Sequence, residues 1–278
     1  MIVDGSNLLF QMFYGMPARI VNAEGRPVHG TLGFIGALMK ILRVTRPRNL
    51  AVLFDGEREN DERVKLMPGY KAGRRDYSDM PEVETPFSQI PDIERVLDHI
   101  GGYHKVMRTY EVDDIISSCV ARFGSDYDIV IASQDSDLFQ LVRENVKVLR
   151  YRGGESEICD VEYVRNRYGV EPEKIIDFKS LVGDRTDNIE GVRGVGQKIA
   201  AGLIAEYGDL ENIIENAEKI TRPAIRASII EDAERLRRNY RIIRLRGLVS
   251  PPFDSPPPFK FITNSVTTVA LLKEAGVM

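Results

Sequence analysis

The chain has 278 residues, of which 43% are hydrophobic and 29% charged, with a formal net charge of −4. That is ample material for a folded core, which excludes an intrinsically disordered chain. The mild negative charge argues against a simple polycationic coat for nucleic acid, and the longest apolar runs fall far short of the ~20 residues that span a bilayer.

Cys119 and Cys159 stand far apart and lack metal-ligand spacing, so both are expected to be reduced, buried thiols. The opening "MIVDGSNLLF" enters a strand without a basic leader. A cytoplasmic, non-membrane protein is the expectation.

In chain order, three segments share one grammar. "MIVDG" ends its β-branched run in Asp4, "NLAVLFDGE" in Asp55, and "YDIVIASQDSD" in Asp135 and Asp137. Segments 32–44, 90–100 and 112–123 between them carry apolar residues at helical spacing, and shorter strands are expected near 102–107 and 145–150. Continuous apolar strands alternating with helices predict an α/β fold: a mainly parallel central sheet with helices on both faces. After about residue 160 no clear strand is expected. Short, glycine-punctuated helices follow, then a longer helix through "RASIIEDAERLRRNYRIIRL". "SPPFDSPPP" (250–258) reads as a surface linker before a short tail. The expected organisation is a core at 1–160, a helical region at 161–249, and a linker with tail at 250–278.

In an open parallel sheet, ligands bind beyond the carboxyl ends of the strands. Asp4, Asp55, Asp135 and Asp137 would gather there. "YEVDDI" adds Glu111, Asp113 and Asp114, and "LVGDRTDNIEGV" adds Asp184 and Asp187. Carboxylates packed this densely repel and raise one another's pKa, so the cluster calls for cations. Oxygen-only donors suit Mg²⁺ or Mn²⁺, two or more ions; a pair about 3.5–4 Å apart can stabilise both oxygens of a phosphodiester displacement. Singly, several of these residues also read as helix caps or turn formers.

"GVRGVGQKIAAGLIAEYG" is the second informative stretch. Gly191, Gly194 and Gly196 form a hairpin before a helix starting near Gln197, whose N-terminal amides suit a phosphate, with Lys198 adding charge. A plain helix–turn–helix packing motif is an equal reading. Arg58, Arg63, Lys65, Lys71, Arg74 and Arg75 cluster between the second strand and Tyr77, and "GYKAGRRDY" interleaves its cations with tyrosines, which suits phosphates and stacked bases. Glu57, Glu59, Asp61 and Glu62 nearby equally allow a salt-bridged surface. The arginines from Arg235 to Arg246 are expected to serve the surface and the helix dipole.

Seven ordered stretches, "VDGSNLLF", "VLFDGE", "YKAGR", "YEVDD", "ASQDSDLFQLV", "SLVGDRTDNIEGVRGVGQKIAAGLI" and "YGDLENI", resemble the 5′ nuclease superfamily over residues 1–245. That superfamily includes flap endonucleases, phage 5′ exonucleases and the nuclease domain of bacterial DNA polymerase I; the stand-alone bacterial exonucleases are the nearest type. The resemblance implies a metal-dependent nuclease that leaves 5′-phosphates, and a helical arch at about 57–100 over an acidic site. It also implies a helix–three-turn–helix around Gly183–Tyr207 that grips duplex DNA, with K⁺ at its hairpin.

Carried over residue by residue, Asp4, Asp55, Glu111 and Asp113 resemble ligands of a first metal site. Asp135, Asp137, Asp184 and Asp187 resemble those of a second, with Asp114 as an extra carboxylate. Lys71 and Arg74 resemble the catalytic basic pair, and Tyr70 a base-stacking residue. Arg75, Gly191, Gly194, Gly196, Gln197 and Lys198 are candidate DNA contacts. Implied partners are DNA flaps, nicks and free 5′ ends, RNA–DNA primers included, met by a monomer in replication and repair. The arch "RRDYSDMPEVETPFSQIPD" matches only loosely, and the tail after Leu248 matches nothing. Three alternatives stay open: a non-catalytic binder of branched DNA, a phosphatase using Asp135 and Asp137, and a nuclease acting on RNA.

Overall fold

The structure, a computed structural model, describes residues 1–56, 62–73, 75–77, 79–247, 249–260 and 267–278. A central six-stranded sheet runs in the order β3-β2-β1-β4-β5-β6. Its strands are β1 (Ile2–Asp4), β2 (Ala51–Asp55), β3 (Tyr103–Met107), β4 (Ile129–Ala132), β5 (Val146–Arg150) and β6 (Glu157–Cys159). The first five pair in parallel, and only the edge strand β6 runs antiparallel. The order of strands reverses between β1 and β4, so their carboxyl ends open the crevice where such sheets take ligands.

Alternation along each strand splits the core in two. Leu53 joins one cluster with Ile115, Ile116, Cys119 and Ile131; its neighbours Val52 and Phe54 join another with Phe34, Leu38 and Ile93. α1 (Gly5–Gly15), α2 (His29–Thr45) and α4 (Ile90–His99) cover the second face; α5 (Val112–Phe123) covers the first. α1 was not expected from the sequence. It starts because Asp4 caps it, accepting the Asn7 amide at 3.0 Å.

Between β2 and α4 the described residues hold only α3 (Glu62–Leu66) and two single 3₁₀ turns, so no long helix forms there among them. The helical half contains α6 (Val161–Tyr168), α7 (Ile175–Val182), α8 (Gln197–Tyr207), α9 (Leu210–Glu215) and α10 (Pro223–Ile243). One correction applies here. A two-residue antiparallel ladder, β7 (Gly183–Asp184) with β8 (Ile189–Glu190), forms after residue 160. It is too short for a period-2 pattern to announce. Gly183 has φ +84°, and a Cβ on it would meet the Gly191 nitrogen at 2.5 Å. A Cβ on Gly191 would meet the Val182 carbonyl carbon at 2.3 Å. Both glycines are required by this backbone approach.

The proline-rich segment straps the edge of the sheet remote from the acidic ends. Leu50 and Phe259 exchange backbone hydrogen bonds with Pro257 and Arg48 at 3.1 and 2.8 Å. Phe253 packs against Tyr103 and Phe123. The tail then returns as α11 (Thr268–Glu274), burying Leu271, Leu272 and Val277 in the core beneath α2 and α4. No described helix is long and apolar enough to cross a membrane. Both cysteines are free and buried, and burial pushes their thiols up, Cys119 to about 12 and Cys159 to about 11.

Candidate active site

Four elements bring carboxylates to the switch point. Asp4 ends β1, Asp55 ends β2, Asp113 lies in the first turn of α5, and Asp135 follows β4. Asp4 is 5% exposed; besides capping α1 it accepts the Ser133 hydroxyl at 2.9 Å. Burial, then the charges of Asp55 and Asp135, push its carboxyl up to about 7. Asp113 is also held well above the ordinary carboxylate range, by burial and then by Asp135, Asp4 and Asp55, against the opposing pull of Lys71. Asp55 is fixed by accepting the Val112 amide at 3.1 Å. These four carboxylates therefore feel one another across a small space. Asp135, which the resemblance put with the second site, lies with this group, and Glu111, which it put with the first, instead bonds Lys71 and Arg63.

The second acidic group lies beside them. Asp137 follows β4 closely and its amide binds the Asp135 carboxylate at 2.8 Å; Asp184 sits in β7, and Asp187 in the following turn. Lys179 of α7 enters this group, pairing with Asp137 and with Asp184 at 2.6 Å. Burial pushes Asp137 up to about 6; Lys179 opposes this, while Asp135 and Asp187 reinforce it. Burial acts on Asp184 too, but the Lys179 ammonium and the Thr186 and Asp187 amides outweigh it and hold its carboxyl below its ordinary range.

Lys71 reaches the same space. Its ammonium binds Glu111 at 2.8 Å, and its amide binds the Asp187 carbonyl at 3.1 Å. Lys71 takes φ +58°, a left-handed conformation that costs a non-glycine residue energy and is typical of functional sites. Asn188, also left-handed at φ 58°, donates from its side chain to the Gly69 carbonyl at 2.8 Å. The segment carrying Lys71 is thus stapled to the "DRTDN" loop.

Three expectations need correction. Asp114 was grouped with the metal ligands, but both its oxygens are engaged by Arg63 at 2.8 Å, and one also accepts the Arg246 amide at 2.9 Å. Tyr70 was expected to stack on a base; the residue is 7% exposed, packed with Met67, Ile189, Ile242 and Ile243, and the Lys71 ammonium lies 4.8 Å from its ring centre. Gly191 was a DNA contact, yet its carbonyl accepts Arg235 at 3.0 Å and its bare α-carbon serves the backbone crossing. Gly194 (φ +82°) and Gly196 border open space, Gly196 caps α8, and Gln197 and Lys198 open that helix with exposed side chains. Arg75 is exposed over the Tyr14 ring. Arg74 and Arg58, with Glu57, Glu59 and Asp61, lie outside the described residues.

Sequence reasoning missed the inner cations. Arg63 was grouped with surface charges but is 3% exposed and also binds Glu111 at 3.1 Å. Lys179 stands in the apolar helix "IIDFKSLV", five residues before Asp184; a lysine on a buried helical face opposite carboxylates was the available signal. Among the described residues no three carboxylates are placed to ligate one ion together as they stand. The donor chemistry still fits a hard divalent cation: oxygens only, from converging carboxylates whose repulsion a cation relieves.

Residues 1–169 match the family domain described as "5′-3′ exonuclease, N-terminal resolvase-like domain", and residues 170–256 match "5′-3′ exonuclease, C-terminal SAM fold". The chain belongs to the 5′-3′ exonuclease family. It is a nuclease of that family.

The 5′-3′ exonuclease of Aquifex aeolicus is 35% identical over 246 residues, 88% of this chain and 80% of that protein. The 5′-3′ exonuclease of Streptomyces coelicolor is 32% identical over 267 residues, 91% and 87% of the two chains. The thermostable DNA polymerase I of Thermus thermophilus is 31% identical over 247 residues, but the chain spans only 28% of it. Among solved structures, T5 5′-exonuclease with bound divalent zinc ions matches with TM-score 0.72 at 23% identity, covering 88% of this chain and 89% of that one. The catalytic core of Rad2 in complex with DNA substrate matches with TM-score 0.62 at 17% identity, covering 100% and 87%. Both show the same fold.

Proposed function

We propose that this exonuclease is a divalent-metal-dependent 5′-3′ exonuclease and structure-specific flap endonuclease that hydrolyses DNA and leaves 5′-phosphates. The observation that carries the reading is the convergence of Asp4, Asp55, Asp113 and Asp135 at the switch point, with Lys71 held beside them. Such a site repels a phosphodiester unless cations neutralise it, which disfavours a non-catalytic DNA binder. Metal-bound T5 exonuclease and DNA-bound Rad2 share the fold and support the same reading.

Asp4, Asp55, Asp113 and Asp135 would hold the first ion or ions, Mg²⁺ or Mn²⁺; Asp137, Asp184 and Asp187 belong to a second group. Bound there, such ions polarise the phosphoryl oxygens and lower the pKa of an attacking water. The chain's own residues do the rest. Lys71 is close enough to the carboxylates to exchange Glu111 for a non-bridging phosphate oxygen and hold it. Arg74 would act with it. Glu111 and Asp114 fix Arg63, which is bonded to the Ile242 and Arg244 carbonyls at 2.8 and 3.3 Å, so the site floor is tied to the end of α10. Gly194, Gly196, Gln197 and Lys198 would grip a duplex phosphate at the positive end of α8, and a K⁺ ion held at this hairpin would add positive charge there. Arg75 would hold the single strand. Phosphate-directed contacts of this kind read structure more than sequence, so flaps, nicks and free 5′ ends, RNA–DNA primers included, are the proposed substrates of a cytoplasmic monomer in replication and repair.

The test is cleavage of a 5′-labelled flap and a nicked duplex with Mg²⁺, Mn²⁺ or chelator. Metal-dependent release of 5′ fragments is expected. Tight flap binding without cleavage in either metal would overturn the enzyme reading in favour of a structural binder.

A further inference from the structure

We propose that Lys179 is a resident cation of the second acidic group, so that Asp137 and Asp184 accept a divalent ion only when the ammonium withdraws. This rests on the divalent-ion reading of the site. The Lys179 side chain is 8% exposed, those of Asp137 and Asp184 11% and 15%. An ammonium has three protons and no acceptor. Here they meet Asp137 Oδ1, Asp184 Oδ2 at 2.6 Å and the Ser136 hydroxyl at 3.1 Å. That is a small oxygen shell around one positive charge, built from two of the carboxylates a second ion would need.

α7 fixes the ammonium there. Lys179 is flanked by Phe178, Ser180 and Leu181, all buried, and the helix ends two residues before Asp184, where Gly183 turns the chain into β7. Ser180 and Asn239 pin the neighbouring backbone: the Ser180 hydroxyl donates to the Ile176 carbonyl at 2.7 Å, and the Asn239 side-chain amide donates to the Ser180 carbonyl at 3.4 Å.

The first group differs. The cations bonded near it, Lys71 and Arg63, are taken up by Glu111 and Asp114 rather than by Asp4, Asp55, Asp113 or Asp135. A divalent ion joining the first group meets carboxylates that no ammonium bridges directly, with Lys71 acting on Asp113 only through its charge. One joining the second group must compete with an ammonium for the same oxygens and against its charge, which is strong at contact distance in a poorly hydrated site. The two groups should therefore fill at different ion concentrations, and Lys179 acts as a positioning residue that sets the weaker one.

Mn²⁺ binding to the whole protein, followed by electron paramagnetic resonance, tests this in wild type, Lys179→Met and Lys179→Arg. Wild type should show two classes of site. Lys179→Met should tighten the weaker class by about tenfold or more and leave the tighter class unchanged, while Lys179→Arg keeps the weak class weak. Two bound ions with the weaker class unmoved in Lys179→Met overturn the proposal alone; no bound ion in wild type overturns the divalent-ion reading and the proposal with it. Amine labelling of wild-type protein, read by mass spectrometry, decides the case even if Lys179→Met does not fold. Labelling of Lys179 should rise as Mn²⁺ fills the weaker class, and persistent protection with both classes full would overturn the proposal.

Discussion

Arg63 and Asp114 form a two-pronged ion pair inside the protein, both contacts at 2.8 Å, with 4% and 2% of the side chains exposed. Removing one partner of a buried pair leaves an uncompensated charge and costs about 3–5 kcal/mol. Asp114→Asn and Arg63→Met should each lower stability to unfolding by urea by that order. The double variant Arg63→Met with Asp114→Leu should lose less than the sum of the two singles. Additive losses would show that the pair is not coupled.

The raised carboxyl of Asp4 carries a pH signature. An unfolded aspartate titrates near 3.8, and the folded one near 7. Between those values the folded state holds the extra proton, so stability falls as pH rises through the window and is flat above it. In chelator, wild type should lose melting temperature between pH 5 and pH 8 relative to Asp4→Asn, which lacks the titrating group. Parallel profiles for the two proteins would remove Asp4 from the cluster. Divalent ions should restore the melting temperature that wild type loses at pH 8.

Asp135→Ala and Asp184→Ala should each cut cleavage by about a hundredfold or more while leaving flap binding intact or tighter, since a negative charge leaves the phosphate path. A gel-shift titration beside single-turnover cleavage separates the two quantities. Normal turnover in either variant would sink the metal assignment at that residue.

Lys71→Ala should slow cleavage far more than it weakens binding, because its ammonium is aimed at the carboxylates and not at the outer surface. Lys71→Arg should recover part of the rate. Loss of affinity at an unchanged rate constant would make Lys71 a contact that only positions DNA.

Much of this arrangement was legible in the sequence, and the reasons are particular. β1, β2 and β4 announced themselves because a strand buried on both faces is continuously apolar; β1 and β2 stop at Asp4 and Asp55, and β4 stops at Ala132, shortly before Asp135. α5 was readable to the residue because Ile115, Ile116, Cys119 and Phe123 keep the helical period. α1 was not, since its start depends on Asp4 serving as cap and site residue together. Lys179 and Arg63 were misjudged or missed because a charged residue in a helix reads as solvent-facing until its partners are known, and the partners Asp137 and Asp114 lie 42 and 51 residues away in sequence. Tyr70 sat in a motif but turned inward, which local spacing cannot announce.

The tail was the least legible segment, because proline-rich sequence has no period, yet it has a definite role in the fold. Leu271 and Leu272 are 4% and 0% exposed, beneath α2 and α4, and Glu274 binds His99 at 3.0 Å at the end of α4. α4 closes the segment that carries Lys71, so the tail braces one root of that segment from the side opposite the acidic ends. Leu272→Ala should lower stability by about 2–5 kcal/mol through a cavity in that core. His99→Ala, at an exposed pair, should cost less than about 1 kcal/mol. Urea unfolding at neutral pH distinguishes them; equal small losses would mean that α11 is not docked in solution, and the tail would then be a passive extension of the strap.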